Sequence, residues 1–285
     1  MSFSFIQMAD PQFGFFAAIS QLSPEQIDER RRRGLNVRLA PKKKTGFADE
    51  TILYEQAIAH ANRLRPDFVV MCGDMTHDAD DPDQLDELRR ITAKLDDTIP
   101  LYWVAGNHDV GNRPTSETLA QYRQRFGEDN YSFDHKGSHL VVLNSCVCFD
   151  PTDVPDEWES LIAFLKSDLH EAQANGTKNI LVFVHHPLFL DRPDEPDGYF
   201  VIPKTRRAVL LDILKSNNVS AVFAGHVHRN ILGSDGALQM VTSGAVGYPL
   251  GDDPSGFRVV KVLDGSIEHK YFGFGDVPNS LTLDA

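Results

Sequence analysis

Five short polar clusters punctuate this chain: Asp10-Pro11-Gln12, Gly73-Asp74, Gly106-Asn107-His108-Asp109, His185-His186-Pro187 and Gly225-His226-Val227-His228. Together they supply carboxylate, amide and imidazole groups, the donor set that holds hard or borderline divalent cations. Two such ions about 3.5–4 Å apart can clamp the attacking and leaving oxygens of an in-line displacement at phosphorus. A pair that close needs an anionic ligand between the ions. Asp74 is the natural bridge, because Gly73 allows a tight turn before it and a carboxylate can offer one oxygen to each ion. Asp10 gives a second anionic ligand, with Pro11 fixing the turn after it. The imidazoles of His226 and His228 are two residues apart. An extended segment would point both to one side, where each could reach a different ion.

These groups need elements to position them. Each cluster follows an apolar run of strand length, at residues 3–8, 68–72, 101–104, 180–184 and 219–223. Buried strands there would put the clusters at carboxyl ends, where layered α/β proteins place their sites. Helical spacing covers about residues 48–65, with Pro66 as the stop, and 82–95, 116–126, 155–174 and 204–216. Thr115 and Asp156 are candidate N-caps. Residues 131–134 and 139–144 read as a strand pair across Lys136-Gly137, and Asp264-Gly265 as a hairpin turn between two alternating strands. The pattern predicts an α/β fold of two packed sheets with helices outside, forming a single domain over residues 1–285. Residues 14–46 read as a long insertion with mixed helix and loop signals and no clear core.

The formal net charge of −13 disfavours nucleic acid as a partner, since phosphate backbones need a basic surface. No apolar run is long enough to span a membrane, and the first residues lack the marks of a signal peptide. Three cysteines make no disulfide framework, and a reducing, cytoplasmic setting fits them. The sequence carries no signal for oligomeric state. One run opposes the acidic trend: Arg30-Arg31-Arg32-Arg33 and Lys42-Lys43-Lys44 both fall in the insertion. They form either an exposed loop or a basic flap at the mouth of the site that attracts a phosphorylated substrate.

The order and content of the clusters resemble the calcineurin-like metallophosphoesterases. Ala9–Gly14, Gly106–Asn112, Pro187–Leu190, Gly225–Asn230 and Asp253–Val260 are similar to the subfamily of the calcineurin-like phosphoesterase domain-containing protein, or complete serine/threonine phosphatase. The similarity runs from about Phe5 to about Phe272. It implies a four-layer αββα sandwich of two mixed β-sheets flanked by helices. It also implies that Asp10, Gln12, Asp74 and His228 hold one ion and Asp74, Asn107, His185 and His226 the other. His108 matches the histidine placed near the phosphoryl oxygen and leaving group, and Asp109 is expected to orient its ring. Arg229 and Asn112 are expected at the substrate, and His186 either at the substrate or at a group that supports the ligands. Most family members have histidine where this chain has Gln12. The resulting oxygen-rich site favours Mn, Fe or Mg over Zn.

The implied activity is phosphoric ester hydrolysis by a metal-activated hydroxide attacking in line. A phosphomonoesterase is the first reading, with phosphoserine or phosphothreonine protein as one candidate substrate. The alternative is a phosphodiesterase acting on cyclic nucleotides or glycerophosphodiesters. A non-catalytic scaffold on the same fold is the third reading, and the complete set of ligands with His108 argues against it.

Overall fold

A computed structural model of the chain describes residues 2–281. Its strands in chain order are β1 (Phe3–Met8), β2 (Phe68–Cys72), β3 (Leu101–Val104), β4 (Tyr131–His135), β5 (Ser138–Val142), β6 (Asn179–Phe183), β7 (Ala221–Ala224), β8 (Ile231–Asp235), β9 (Leu238–Thr242), β10 (Gly256–Leu263) and β11 (Ser266–Gly273). They form a five-stranded sheet ordered β11-β10-β1-β2-β3 and a six-stranded sheet ordered β4-β5-β6-β7-β9-β8. Both sheets are mixed: β1, β2 and β3 run parallel, as do β5, β6, β7 and β9, while β10 pairs antiparallel with both β1 and β11, β4 with β5, and β8 with β9.

The strand period of two explains the packing. Phe3 and Phe5 of β1 point between the sheets, with Phe68 and Val70 of β2 and Leu181, Phe183 and Phe223 of the facing sheet. The Phe5 ring meets Phe183 and Phe223 edge-on, with centroids 5.5 Å away in each case. Ile6, Met8, Val69 and Met71 point the other way, into a cluster with Tyr54, Ile58, Leu88 and Ile91 of the covering helices. Because both faces are buried, these strands read as continuous apolar runs. Helices α3 (Ala48–Leu64) and α4 (Pro82–Thr92) cover the first sheet. No helix among the described residues is long and apolar enough to cross a membrane.

Two expectations about local structure are corrected. Helix α8 (Pro155–Ala174) is preceded by Val154 in the N-cap position, with no side-chain cap. Asp156 lies inside its first turn, where its charge opposes the positive helix end. The insertion is not coreless. It forms α1 (Phe15–Ser20) and α2 (Pro24–Arg32), and Ile19, Ile27 and Val37 pack with Leu250. Ser23 and Gln26 form a capping box at the start of α2. The remaining helices are α5 (Asn107–Val110), α6 (Ser116–Phe126), α7 (Ser145–Phe149) and α9 (Lys204–Ser216). Thr115 caps α6 as its sequence suggests.

Candidate metal centre

The ends of β1, β2, β3, β6 and β7 converge, and backbone hydrogen bonds tie their loops together. Asp10 N–H donates to the Gly73 carbonyl and Gln12 N–H to the Asp74 carbonyl, both at 3.0 Å. Gly225 N–H donates to the His185 carbonyl at 3.1 Å. Close approach depends on Gly106, where a Cβ would lie 2.3 Å from both the amide nitrogen and Oδ1 of Asp74. Asp10, Gln12, Asp74, His226 and His228 all adopt left-handed backbone, with φ between 41° and 69°. Such a conformation costs an L-residue about 1–2 kcal/mol. The turn aims each side chain back toward one point. His226 and His228 therefore converge through left-handed turns and not through the extended segment expected from their spacing.

Two overlapping groups of donors result. One contains Asp74, His185 and His226, the other Asp10, Asp74 and His228, and within each the donor atoms lie within 4.8 Å of one another. Asp74 belongs to both. All these residues are buried. Asn107 Oδ1 stands 3.0 Å from His185 Nε2, adding an amide oxygen to the first group. Gln12 lines the cavity beside Asp74 and His228, and its Oε1 is buried with no hydrogen-bond partner.

The tautomers decide what this arrangement can hold. His185 Nδ1 donates to the Cys72 carbonyl at 2.8 Å and His228 Nδ1 to the Tyr248 carbonyl at 2.5 Å, since a carbonyl only accepts. Each Nε2 is thereby turned toward a carboxylate: His185 Nε2 is 3.3 Å from Asp74 Oδ2, and His228 Nε2 is 3.3 Å from Asp10 Oδ1. His226 uses the opposite atom, with Nε2 facing the Tyr199 carbonyl at 3.2 Å. Lone pairs of neutral rings and carboxylates cannot face each other unless a proton or a metal cation lies between them. Accordingly, burial works against a charged His185, yet the Asp74 carboxylate overrides it and lifts the ring to about 9. His226, buried and beside His185, is pushed down to about 3. Imidazole, carboxylate and amide oxygens, together with the unpartnered Gln12 oxygen, fit two divalent cations sharing Asp74.

His108 lies at the edge of this cluster. Its backbone N–H donates to Asp74 Oδ1 at 2.8 Å, and its ring Nδ1 donates to the His77 carbonyl at 2.7 Å. Asp109 does not orient that ring. Its carboxylate accepts three buried backbone N–H bonds, from Asp74 and Gly106 on Oδ2 (2.9 and 2.8 Å) and from Met75 on Oδ1 (3.0 Å). The residue at the third position of the short helix α5 curls back to the amide of Gly106, its N-cap, and stitches the β2 and β3 loops together. Asparagine there would turn an NH₂ toward one of these donors. Asp109→Asn is expected to lower stability by about 2–4 kcal/mol and to loosen cation binding, as chemical denaturation and metal analysis of the variant can check. Unchanged stability would contradict this role.

Of the two expected positions for His186, the structure shows the one behind the ligands. The residue is fully buried, stacks on Phe149 with centroids 4.9 Å apart, and sits behind His226. Ser145 Oγ lies 3.1 Å from its Nδ1 and accepts the backbone N–H groups of His185 and His186. His186 thus buttresses the ligand ring and does not reach a substrate. The Arg229 guanidinium lies over the Phe200 ring at 5.6 Å, with a buried, unpartnered Nε. Asn112 Oδ1 is likewise buried and unpartnered. The Tyr199 hydroxyl, raised by burial and the Asp74 charge, is moderated by the Asn112 and Asn107 amides.

A cavity of about 450 Å³ opens over the cluster, lined by Tyr199 and Phe200, which pack on His226, and by α1, through Phe15, Ala18 and Ile19, and α2. Arg30 and Arg33 line it, whereas Arg31 and Arg32 point away. The arginine part of the basic run therefore closes a helix beside the site, whereas Lys42–Lys44 lie in the loop beyond it and do not line the cavity. His77, which sequence reasoning missed, also lines the cavity, and its ring lies 4.8 Å from that of His108. Its only signal is its place three residues after Asp74. Glu50 was missed too; its Oε1 accepts from Gly14 and Phe16 (3.1 and 2.8 Å) and fixes the loop after Gln12.

Residues 42–230 match the family described as calcineurin-like phosphoesterase. A zebrafish (Danio rerio) protein named serine/threonine-protein phosphatase CPPED1 is 38% identical over 275 residues, 94% of this chain and 84% of the relative. Its human (Homo sapiens) namesake is 36% identical over 282 residues, 96% of this chain and 85% of the relative. The crystal structure of a dimetal phosphatase from Danio rerio superposes with a TM-score of 0.64 at 18% identity, covering 95% of this chain and 96% of that one.

Proposed function

The chain belongs to the calcineurin-like phosphoesterase family and is a metal-dependent phosphoric ester hydrolase, and from that premise we propose that its substrates are phosphomonoesters of serine and threonine in proteins. The observation that carries the chemistry is Asp74 shared between two donor groups. The substrate class draws support from relatives named as serine/threonine-protein phosphatases at 36–38% identity over most of the chain.

In this reading Asp10, Gln12, Asp74 and His228 hold one cation and Asp74, Asn107, His185 and His226 the other. Bound there, the cations would supply Lewis acidity and a water ionised near neutral pH. The chain supplies the rest. The His108 N–H bond fixes the orientation of the Asp74 carboxylate. With Nδ1 committed to the His77 carbonyl, Nε2 of His108 is the one ring atom left to serve the substrate. In its protonated form it gives that proton to the departing alkoxide. Tyr199 and Phe200, packed on His226 with centroids 5.1 and 5.6 Å away, limit water on their side of the cleft.

Parallel assays of metal-loaded enzyme on an aryl monophosphate, a bis-aryl phosphate and phosphoserine peptides test the substrate class. Turnover of the monoesters and peptides is expected; a preference for the diester would overturn it. The oxygen-rich first site favours Mn, Fe or Mg. Gln12→His replaces a carbonyl oxygen by imidazole and is expected to raise the zinc share in a competition between equal Mn and Zn, read by elemental analysis. An unchanged ratio would remove Gln12 from that site.

A further inference from the structure

Helix α2 lays Gln26, Glu29, Arg30 and Arg33 along one wall of the cavity that contains Asp74, His108 and His228. Their spacing is that of a single helical face. The helix is fixed in place by its apolar residue: Ile27 is 2% exposed and packs with Ile19, Val37 and Leu250. Arg31 Nε donates to the Val37 carbonyl at 2.9 Å, and the Tyr248 hydroxyl accepts the Arg38 N–H at 3.2 Å. The Tyr248 carbonyl is also the partner of His228, so the wall and the centre share one loop.

The charges on this wall are uneven. Arg31 pairs with Asp28, but neither Arg30 nor Arg33 forms an ion pair with a carboxylate among the described residues. Two guanidinium groups against Glu29 leave the face positive, in a chain whose formal net charge is −13. Both arginines line the same cavity as Asp74, His77, His108 and Tyr199. The guanidinium groups thus face the same space as the phosphoryl site. Guanidinium groups recognise carboxylate and phosphate by paired, charge-assisted hydrogen bonds.

We propose that this face of α2 selects phosphomonoesters carrying a second anionic group beside the scissile phosphate, and that Arg30 and Arg33 bind that second group. The proposal rests on the phosphomonoesterase reading above and adds a substrate preference to it.

The test compares kcat/KM of the metal-loaded enzyme on phosphoserine peptides with neutral or acidic flanking residues, and on aryl phosphates with or without a ring carboxylate. The acidic-to-neutral ratio should be about tenfold or more for the unaltered enzyme in at least one series. It should fall toward one in the Arg30→Gln, Arg33→Gln double variant. Arg32→Gln removes the same charge from the opposite face and should keep the ratio. A preference confined to the peptides assigns the second anion to the polypeptide; one confined to the aryl phosphates assigns it to a small molecule. A ratio near one in the unaltered enzyme overturns the proposal. So does a ratio that survives the double substitution, or one that falls equally in Arg32→Gln. If the diester alone is hydrolysed, the phosphomonoesterase reading itself fails; even turnover of all monoesters removes only the preference.

Discussion

Asp74→Asn should lose both cations and at least about 10³-fold in kcat together, because a shared anionic ligand sets both the charge and the spacing of a two-metal site. The substitution is chosen to spare the fold. Asp74 has φ of 55°, and asparagine tolerates left-handed backbone nearly as well as aspartate. The shape and the acceptor for the His108 N–H can both be kept. What disappears is one charge in a site where the His185 and His108 rings hold the carboxyl well below its usual range despite burial. Elemental analysis, steady-state kinetics and thermal unfolding of the same preparation separate the effects. Metal loss with an intact unfolding transition is the expected pattern. A variant that retains two cations and full activity would show that Asp74 is not shared.

His108→Ala should behave differently. None of the cation-binding roles falls on its side chain, so metal content should stay at the level of the unaltered enzyme. The rate on phosphoserine peptides should fall by about 10²–10⁴, the range of a missing general acid. An activated aryl phosphate, whose leaving group needs no proton, should lose less than about tenfold. The structure gives this contrast a physical basis. The His77 carbonyl takes Nδ1 at 2.7 Å, so the ring has one orientation and one free nitrogen. Equal losses on both substrates would mean that His108 acts on the phosphoryl oxygens and not on the leaving group.

Much of this was legible in the sequence because each polar cluster follows a buried strand, and a strand end gives a defined exit point. The helices at 116–126, 155–174 and 204–216 were readable from apolar spacing, and the hairpin from Asp264-Gly265, across which Leu263 pairs with Ser266. Four features are not legible there, each for its own reason. The sequence suggests Asp109 as the partner of His108 because carboxylates commonly orient functional imidazoles. Its position three residues after Gly106, at the start of a helix, was the better signal, since that spacing lets a carboxylate cap the first amides. The position of His186, at the substrate or behind the ligands, is left open by its motif, although adjacent side chains on extended chain point to opposite sides. With His185 turned inward to Asp74, His186 had to face Phe149. The core of the insertion was invisible because Leu250, its fourth member, lies more than 200 residues further along the chain. The left-handed backbone at Gln12, His226 and His228 had no glycine to announce it.

A crystal of the manganese-loaded enzyme, with anomalous diffraction recorded at the manganese edge, addresses the shared carboxylate most directly. The expected map holds two peaks about 3.5–4 Å apart, each in contact with a different oxygen of Asp74, one near Asp10 and His228 and the other near His185 and His226. A single peak, or two peaks of which one lies beyond the reach of Asp74, would contradict the account.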